Sequence, residues 1–536
     1  MNSIGVLTLF FPLLFRCLLF PHPHSGQDGY HGSKVSYGGD FEAQRHWMEL
    51  TINVPISEWY THDLHYWGLD YPPLIAYGSY ILGRGSEFFV GQESVKLYES
   101  RGYEDPLHKF YMRCTVLFFD LIFLSPVTYI ISKRLTKKNE TLQLWFFSMI
   151  SPAFILIDNG HFQYNNVCIA VSLASFHFMT LCPSIGIYDI IGSILFCLAL
   201  NWKQMSLYYA PAVFAYLLGK CFSQISSSFS LKNTLVNVAK LGITVISTFG
   251  ILWYPFYYFR DNESDGIVDI YRPILLRIFP FSRGLFEGKV ANLWCVLNVK
   301  PISIRSRIPD ALQPTFALLL TCLLMLPFCI LLFRAGFRYS SGYQEKEVSR
   351  SQLKILLWGC AGVSISFFLA SFQVHEKSIL LPLAPLLFLD TNENTGFIGW
   401  SSIVCTWSCW NLLVTDRLQG PYFALMVLYF CFRKIRYGGS QCLRVYKESK
   451  YGKGSFMRFD RVVTYAFKTF IIPCSMLTML ILHISEALFD PPSKLPDLYP
   501  VLWTIVGCGC FVLIWLKSLF SLLIANAVCH NRVKVD

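Results

Sequence analysis

The chain has 536 residues, of which 54% are hydrophobic, 16% aromatic and only 15% charged. A soluble globular domain carries about a quarter charged residues, so this composition excludes an ordinary soluble enzyme. The formal net charge of +11 raises the question of nucleic acid, but the basic residues lie between apolar runs rather than on one folded polar face, and no nucleic-acid partner is expected.

Crossing a bilayer as a helix takes about 20 apolar residues. Apolar runs predict spans near 4–20, 111–131, 142–157, 166–182, 185–200, 204–219, 235–258, 312–333, 354–371, 378–389, 395–414, 421–432, 464–483 and 499–525. The expected fold class is an all-α polytopic membrane protein with roughly 11–14 transmembrane helices and a large polar loop, 21–110, after the first. The first run reads as a retained helix: it lacks a basic n-region, Arg16 interrupts it, and "FPHPHSG" offers no small-residue cleavage site. The 18 cysteines are scattered through apolar spans without ligand spacing and read as small hydrophobes.

If residue 1 starts in the cytosol, alternate loops become cytosolic. These are 132–141 (Lys133, Arg134, Lys137, Lys138), 334–353 (Arg334, Arg338, Lys346, Arg350) and 433–463, the last holding Arg433, Lys434, Arg436, Arg444, Lys447, Lys450, Lys453, Arg458 and Arg461. That is the positive-inside pattern, so the net charge reports topology.

The polar segments that are not basic fall on the opposite, lumenal face: 21–110, "DNGHFQYNN" (158–166), "NWKQM" (201–205), 277–295 and "SFQVHEK" (371–377). Each has a local explanation. Asp40, opening the pattern of Ala43, Trp47 and Leu50, reads as a helix cap. Asp70 precedes Pro72-Pro73, where helices start. His161, Gln163 and Asn165 read as solvating a short loop, and Lys203 after Trp202 as a snorkelling anchor. His375, Glu376 and Lys377 read likewise at the end of the ninth span. Their co-location on one face points instead to an active site at the membrane surface. A transporter would put polar residues near the midplane on broken helices in echoing halves. No internal repeat of that kind is visible.

"GDFEAQRHW", "YWGLDYPPLIAY", "SRGYE", "GHFQYN", "KQMSLYYAP", "RIFPFSRGLFE" with "KVANLWC", and "FQVHEKSILLPL" resemble the family of endoplasmic-reticulum glucosyltransferases that use dolichyl phosphate glucose. "EAQRHW" and "FQVHEK" are similar to the branch that adds the first glucose to dolichyl-pyrophosphate-linked Man9GlcNAc2. The sister branch adding the second glucose shares "LDYPP" and "HFQYN". Rivals from other classes are a non-catalytic sugar-lipid binder and a transporter.

The resemblance implies a GT-C-type catalytic module over 1–390 and a C-terminal transmembrane region over 391–536. It implies a β-linked lipid-phosphate donor and an α-1,3 product, hence inversion by one in-line displacement with one general base. The base matches Asp40, and the histidine contacting the donor phosphate matches His375. Lys377, Lys203 and Arg283 add positive charge on the same face, where the leaving phosphate needs it. Substrate-binding or loop-positioning roles are expected for Glu42, Arg45, Trp67, Asp70, His161, Gln163, Asn165, Gln204, Gln373 and Glu376. No cofactor or metal is expected: there is no D-x-D or HExxH, and the donor has no pyrophosphate to clamp.

Overall fold

The computed structural model describes residues 3–27, 39–222, 230–279, 285–286, 290–339, 346–390, 394–437 and 464–533. Its regular elements are all helices, and among the described residues there is no strand. Six helices are long and apolar enough to cross a membrane: Pro106–Leu135, Leu231–Tyr258, Asp310–Arg338, Glu347–Ala370, Thr464–Leu488 and Leu498–Ala527. Thr141–Met149 and Pro152–Phe162 make a seventh if the pair, bent by 48°, is one span. Thr8–Cys17, Asn165–Met179 and Ile187–Trp202 are shorter apolar helices. The expected span 421–432 lies within the continuous helix Gln419–Tyr437, and those at 204–219, 378–389 and 395–414 are shorter helical pieces.

Burial separates the inside from the outside of this bundle. The most apolar window of Glu347–Ala370 is 89% buried, whereas that of Leu231–Tyr258 is 0% buried. The first is a core helix and the second presents its apolar surface outward. Helices approach closely where glycine allows it. A Cβ on Gly219 would overlap the Phe333 carbonyl, and one on Gly336 would overlap that of Tyr216. These two glycines let Ala210–Phe222 and Gln313–Tyr339 meet backbone to backbone.

Buried polar contacts join the segments that carry the predicted basic loops. On the basic side, Arg134 donates to the Ser349 carbonyl (2.9 Å) and Arg350 to the Arg134 carbonyl (2.8 Å). Lys220 pairs with Asp189 there too. Arg433 corrects an expectation. It is not part of a solvated loop but lies in the helix Gln419–Tyr437, buried, with Nη1 2.7 Å from Asp390. Asp390 reaches it because both sit at the same end of the bundle, and pairing offsets part of the cost of burying the two charges. Of the predicted basic loop, 438–463 lies outside the described residues.

The segment 21–110 is folded rather than a plain loop. Within it α2 spans Gly39–Asn53 and α3 spans Pro73–Phe89, after α1 at Ser3–Cys17. Asp40 and Glu42 stand in the first turn of α2, where acids complement the helix dipole. Helix α3 starts at Pro73 with Pro72 as its cap, so Asp70 does not cap it. Helix α4, Pro106–Phe119, has a true side-chain cap: Asp105 accepts from the amides of Leu107 (2.8 Å) and His108 (3.3 Å).

Candidate active site

The approach to α2 requires a glycine. Gly39 has φ +52°, and a Cβ there would come within 2.9 Å of the Ser25 backbone. This turn puts the Asp40 amide 3.2 Å from Ser25 Oγ, while the Ser25 amide donates to the His161 carbonyl (3.0 Å). The start of α2 is thereby stitched to the "HFQYN" segment.

Asp40 is not spent on capping its own helix. Its Oδ2 accepts from His161 Nε2 (2.7 Å), from Gln163 Nε2 (2.5 Å) and from the Lys377 ammonium. The side chain is 24% exposed, so it is both anchored and reachable. Burial pushes its carboxyl upward, but the Lys377 charge and the His161 bond outweigh that and hold it well below the usual carboxylate range. Asp40 is therefore ionised.

The "HFQYN" residues are buried, contrary to the solvated-loop reading: His161 is 2%, Gln163 1% and Asn165 0% exposed. Residues Ile155–Phe162 form a wide π-type turn that ends at Phe162 with φ +89°. This widening, frequent at functional sites, lets His161 and Gln163 both reach Asp40. Lys203 is not a snorkelling anchor either. It is 7% exposed, its Nζ donates to Gln163 Oε1 (2.8 Å) and Asn165 Oδ1 (2.6 Å), and it sits 4.5 Å above the Tyr71 ring. Burial, with the Lys377 charge adding to it, lowers its pKa. Lys203 fixes which way Gln163 points: oxygen toward the ammonium, nitrogen toward Asp40.

Glu42 and Arg45 belong to a second, adjoining network. Arg45 makes a two-pronged pair with Glu42 (2.7 and 2.5 Å), reaches Glu49 (2.7 Å) and donates to Ser100 Oγ (2.6 Å). Glu42 also accepts from Tyr66 (2.6 Å) and the Gly102 amide (3.1 Å), and Glu49 from the Tyr98 amide (2.7 Å). Burial opposes the Glu49 charge, but the His46 bond and the Arg45 guanidinium hold it at about 2. This network ties the "SRGYE" segment onto α2.

The remaining expected residues divide by distance from Asp40. Trp67 supplies a carbonyl to Trp47 Nε1 (2.8 Å), and Gln204 Nε2 donates to the carbonyls of Asp70 (3.1 Å) and Ile278 (3.3 Å). These contacts fix the loops around the site. His375 is exposed and precedes the short turn Glu376–Ile379 that carries Lys377. Gln373 has φ +61°, and Glu376 is half-buried beside Lys377. Neither His375, Gln373 nor Glu376 bonds Asp40. Arg283 lies outside the described residues.

Sequence reasoning missed Asp416. It stands 2.5 Å from His161 Nδ1, its side chain 2% exposed. The available signal was faint: a charged pair, Asp416-Arg417, in a short break between apolar runs on the predicted lumenal side.

The arrangement presents an ionised carboxylate held on one oxygen by three donors, one of them the Lys377 ammonium, with the exposed His375 two residues before that lysine. Among the described residues no group of three or more His, Cys, Asp and Glu side chains could hold a metal ion. The model of the ALG6, ALG8 glycosyltransferase family matches residues 12–517. Several curated relatives carry the name dolichyl pyrophosphate Man9GlcNAc2 alpha-1,3-glucosyltransferase. The one from Gallus gallus is 35% identical over 542 residues, covering 98% of this chain and 96% of its own. That from Saccharomyces cerevisiae is 35% identical over 535 residues (95% and 90%), and that from Rattus norvegicus 34% over 516 residues (93% and 93%).

Proposed function

The chain belongs to the ALG6, ALG8 glycosyltransferase family, and we propose that it transfers glucose from dolichyl phosphate glucose to dolichyl-pyrophosphate-linked Man9GlcNAc2, forming an α-1,3 linkage with inversion. The observation that carries this reading is the Asp40 carboxylate. Its Oδ2 is engaged by His161, Gln163 and Lys377, and Oδ1 has no such partner among the described residues. Oδ1 is the oxygen that takes the proton of the attacking hydroxyl.

In the single displacement, the acceptor oxygen forms its bond to the anomeric carbon while the bond from that carbon to the phosphate oxygen breaks. The electron pair leaves on the phosphate, a stable anion that needs no general acid. One carboxylate therefore suffices, unlike the pair used in glycoside hydrolysis. The phosphate needs positive charge where its own charge develops. Lys377, 18% exposed, and the exposed His375 supply it, and Arg283 is proposed to join them. Lys203 contributes by holding Gln163. The Lys377 ammonium pairs with Asp40. A donor phosphate beside it shares that ammonium, which strengthens Asp40 as a base when the donor is bound.

The protein is multi-pass, and we propose that the site faces the lumen of the endoplasmic reticulum, on the side opposite the predicted basic loops. Addition of the second glucose is the alternative acceptor choice. "EAQRHW" and the names of the relatives favour the first. Purified protein supplied with synthetic dolichyl phosphate glucose is expected to glucosylate dolichyl-pyrophosphate-linked Man9GlcNAc2 and not the same glycan already carrying one glucose. Reversed acceptor preference would move the protein to the sister activity, and binding without turnover would leave a sugar-lipid binder.

A further inference from the structure

We infer that Asp416 is a positioning residue for the transfer reaction, acting through His161 to fix the charge and orientation of the group that holds Asp40. This rests on Asp40 being the base. Asp416 follows the short helix Trp410–Thr415 and precedes Gln419–Tyr437. It is held in a tight turn: its amide donates to the Leu412 carbonyl (3.2 Å), that of Leu418 to Leu413 (2.8 Å), and Arg417 has φ +59°.

His161 spans the gap between two carboxylates. Its Nδ1 is 2.5 Å from Asp416 Oδ2 and its Nε2 is 2.7 Å from Asp40 Oδ2, with the imidazole 3% exposed. A neutral imidazole has one N–H and satisfies only one of these oxygens. Both are satisfied when both nitrogens donate, which is the imidazolium. Other charged and titratable groups face this bridge. Lys377 Nζ, 3.4 Å from Nε2, opposes the imidazolium charge. Arg113, which interacts electrostatically with Asp416, donates to the Gly160 carbonyl (2.8 Å) at the back of the turn. Lys203 acts on Asp40 through Gln163, and Tyr71 lies close to Asp40. Asp416 offsets the repulsion between His161 and Lys377. It allows the ring to stay charged and aimed at Oδ2, which leaves Oδ1 for the substrate.

An ordinary buried ion pair would stabilise the fold and leave the reaction's pH dependence alone. The two are separated by kcat against pH, from about pH 2.5 to 8 at saturating donor, with the full-length purified protein. Asp416→Asn keeps the shape and a hydrogen bond to Nδ1 but not the charge that keeps the ring protonated. Asp40 then loses a cationic neighbour and binds protons more readily. A nearby opposite charge moves a carboxylate by about 1–3 pH units, so the acid limb of kcat should move up by at least about one unit, with donor KM unchanged. A limb that stays at its wild-type position overturns the inference, whether or not kcat falls. If Asp416→Asn does not fold, His161→Gln serves: its amide still donates to Asp40 without charge, and its limb should move the same way. An unmoved limb in His161→Gln is equally fatal. Asp40→Asn is run alongside. If it remains active, the base assignment fails, a result distinct from an unmoved limb in enzyme whose Asp40 is shown to be essential.

Discussion

Lys377 has two tasks that cannot both be met in full: it pairs with Asp40, and it is proposed to meet the donor phosphate. Replacing it by Met separates them. Loss of a charge-assisted bond is worth about 1.5–3 kcal/mol, so donor KM should rise roughly 10- to 100-fold. Steady-state kinetics at varied donor check this, and unchanged donor KM would remove Lys377 from the phosphate site. His375→Ala should raise donor KM and lower kcat, since an exposed histidine beside Lys377 has the phosphate as its proposed partner. Asp70→Asn should leave the proton-transfer step intact, because the Asp70 carbonyl, not its carboxylate, is what Gln204 holds.

These residues were legible in the sequence to different degrees. Asp40, His161, Gln163, Lys203 and Lys377 come together because apolar runs place their segments on one face, and those runs are readable by eye. Their burial was not readable. A lysine beside a tryptophan after an apolar run has the pattern of a snorkelling anchor. Only Gln163 and Asn165, nearly forty positions away, turn it inward. Asp416 was invisible for the same reason: a lone acid in a short turn looks like turn chemistry until His161 is placed against it.

At the scale of elements, α2 is the part that must not move. Arg45 sits at 0% exposure between Glu42 and Glu49. Removing one partner from a buried charge network costs about 3–5 kcal/mol, so Arg45→Met should loosen the 98–102 segment and speed its proteolysis. Unchanged protection of that segment would make the network incidental. Glu49 has its pKa depressed to about 2 in the folded protein. Its contribution is thus fully present above the unfolded carboxylate value and is lost progressively as pH falls from there through about 2. Mild acid, about pH 5, should leave the α2 anchor intact in the same proteolysis assay. The wide turn at Ile155–Phe162 and the similar one at Asp120–Leu124 carried no readable signal. Both lie inside apolar runs whose periodicity does not distinguish a π-type turn from an α-helix.

At the scale of the whole molecule, the proposed topology groups residues by membrane face. Arg134 meets Ser349 and Arg433 meets Asp390 at one end, while Asp40 meets His161, Lys377 and Asp416 at the other. Two glycosylation sequons test the orientation. Asn139 and Asn262 are both exposed, so membrane side alone decides between them. Asn139 lies among the basic residues and Asn262 with the site. N-glycan is expected on Asn262 and lost in Asn262→Gln, with no change in Asn139→Gln. A glycan on Asn139 would invert the topology and move the site to the cytosolic face. The last helix, Leu498–Val533, lies against Lys346–Ala370, with Trp515 Nε1 2.9 Å from Ser366 Oγ.

The central claim is that Asp40 takes the proton of the attacking hydroxyl. Asn has nearly the same shape, so Asp40→Asn keeps the bonds that a side-chain oxygen can accept and removes the base together with the charge that Lys377 neutralises. General-base catalysis is worth about 10²–10⁴-fold. The direct measurement is the single-turnover rate of glucose transfer by Asp40→Asn at saturating dolichyl phosphate glucose, with donor affinity measured in parallel. The account predicts a rate lower by at least about 10²-fold with donor affinity little changed. Transfer at the wild-type rate would contradict it, and Asp40 would then be no more than an anchor for the start of α2.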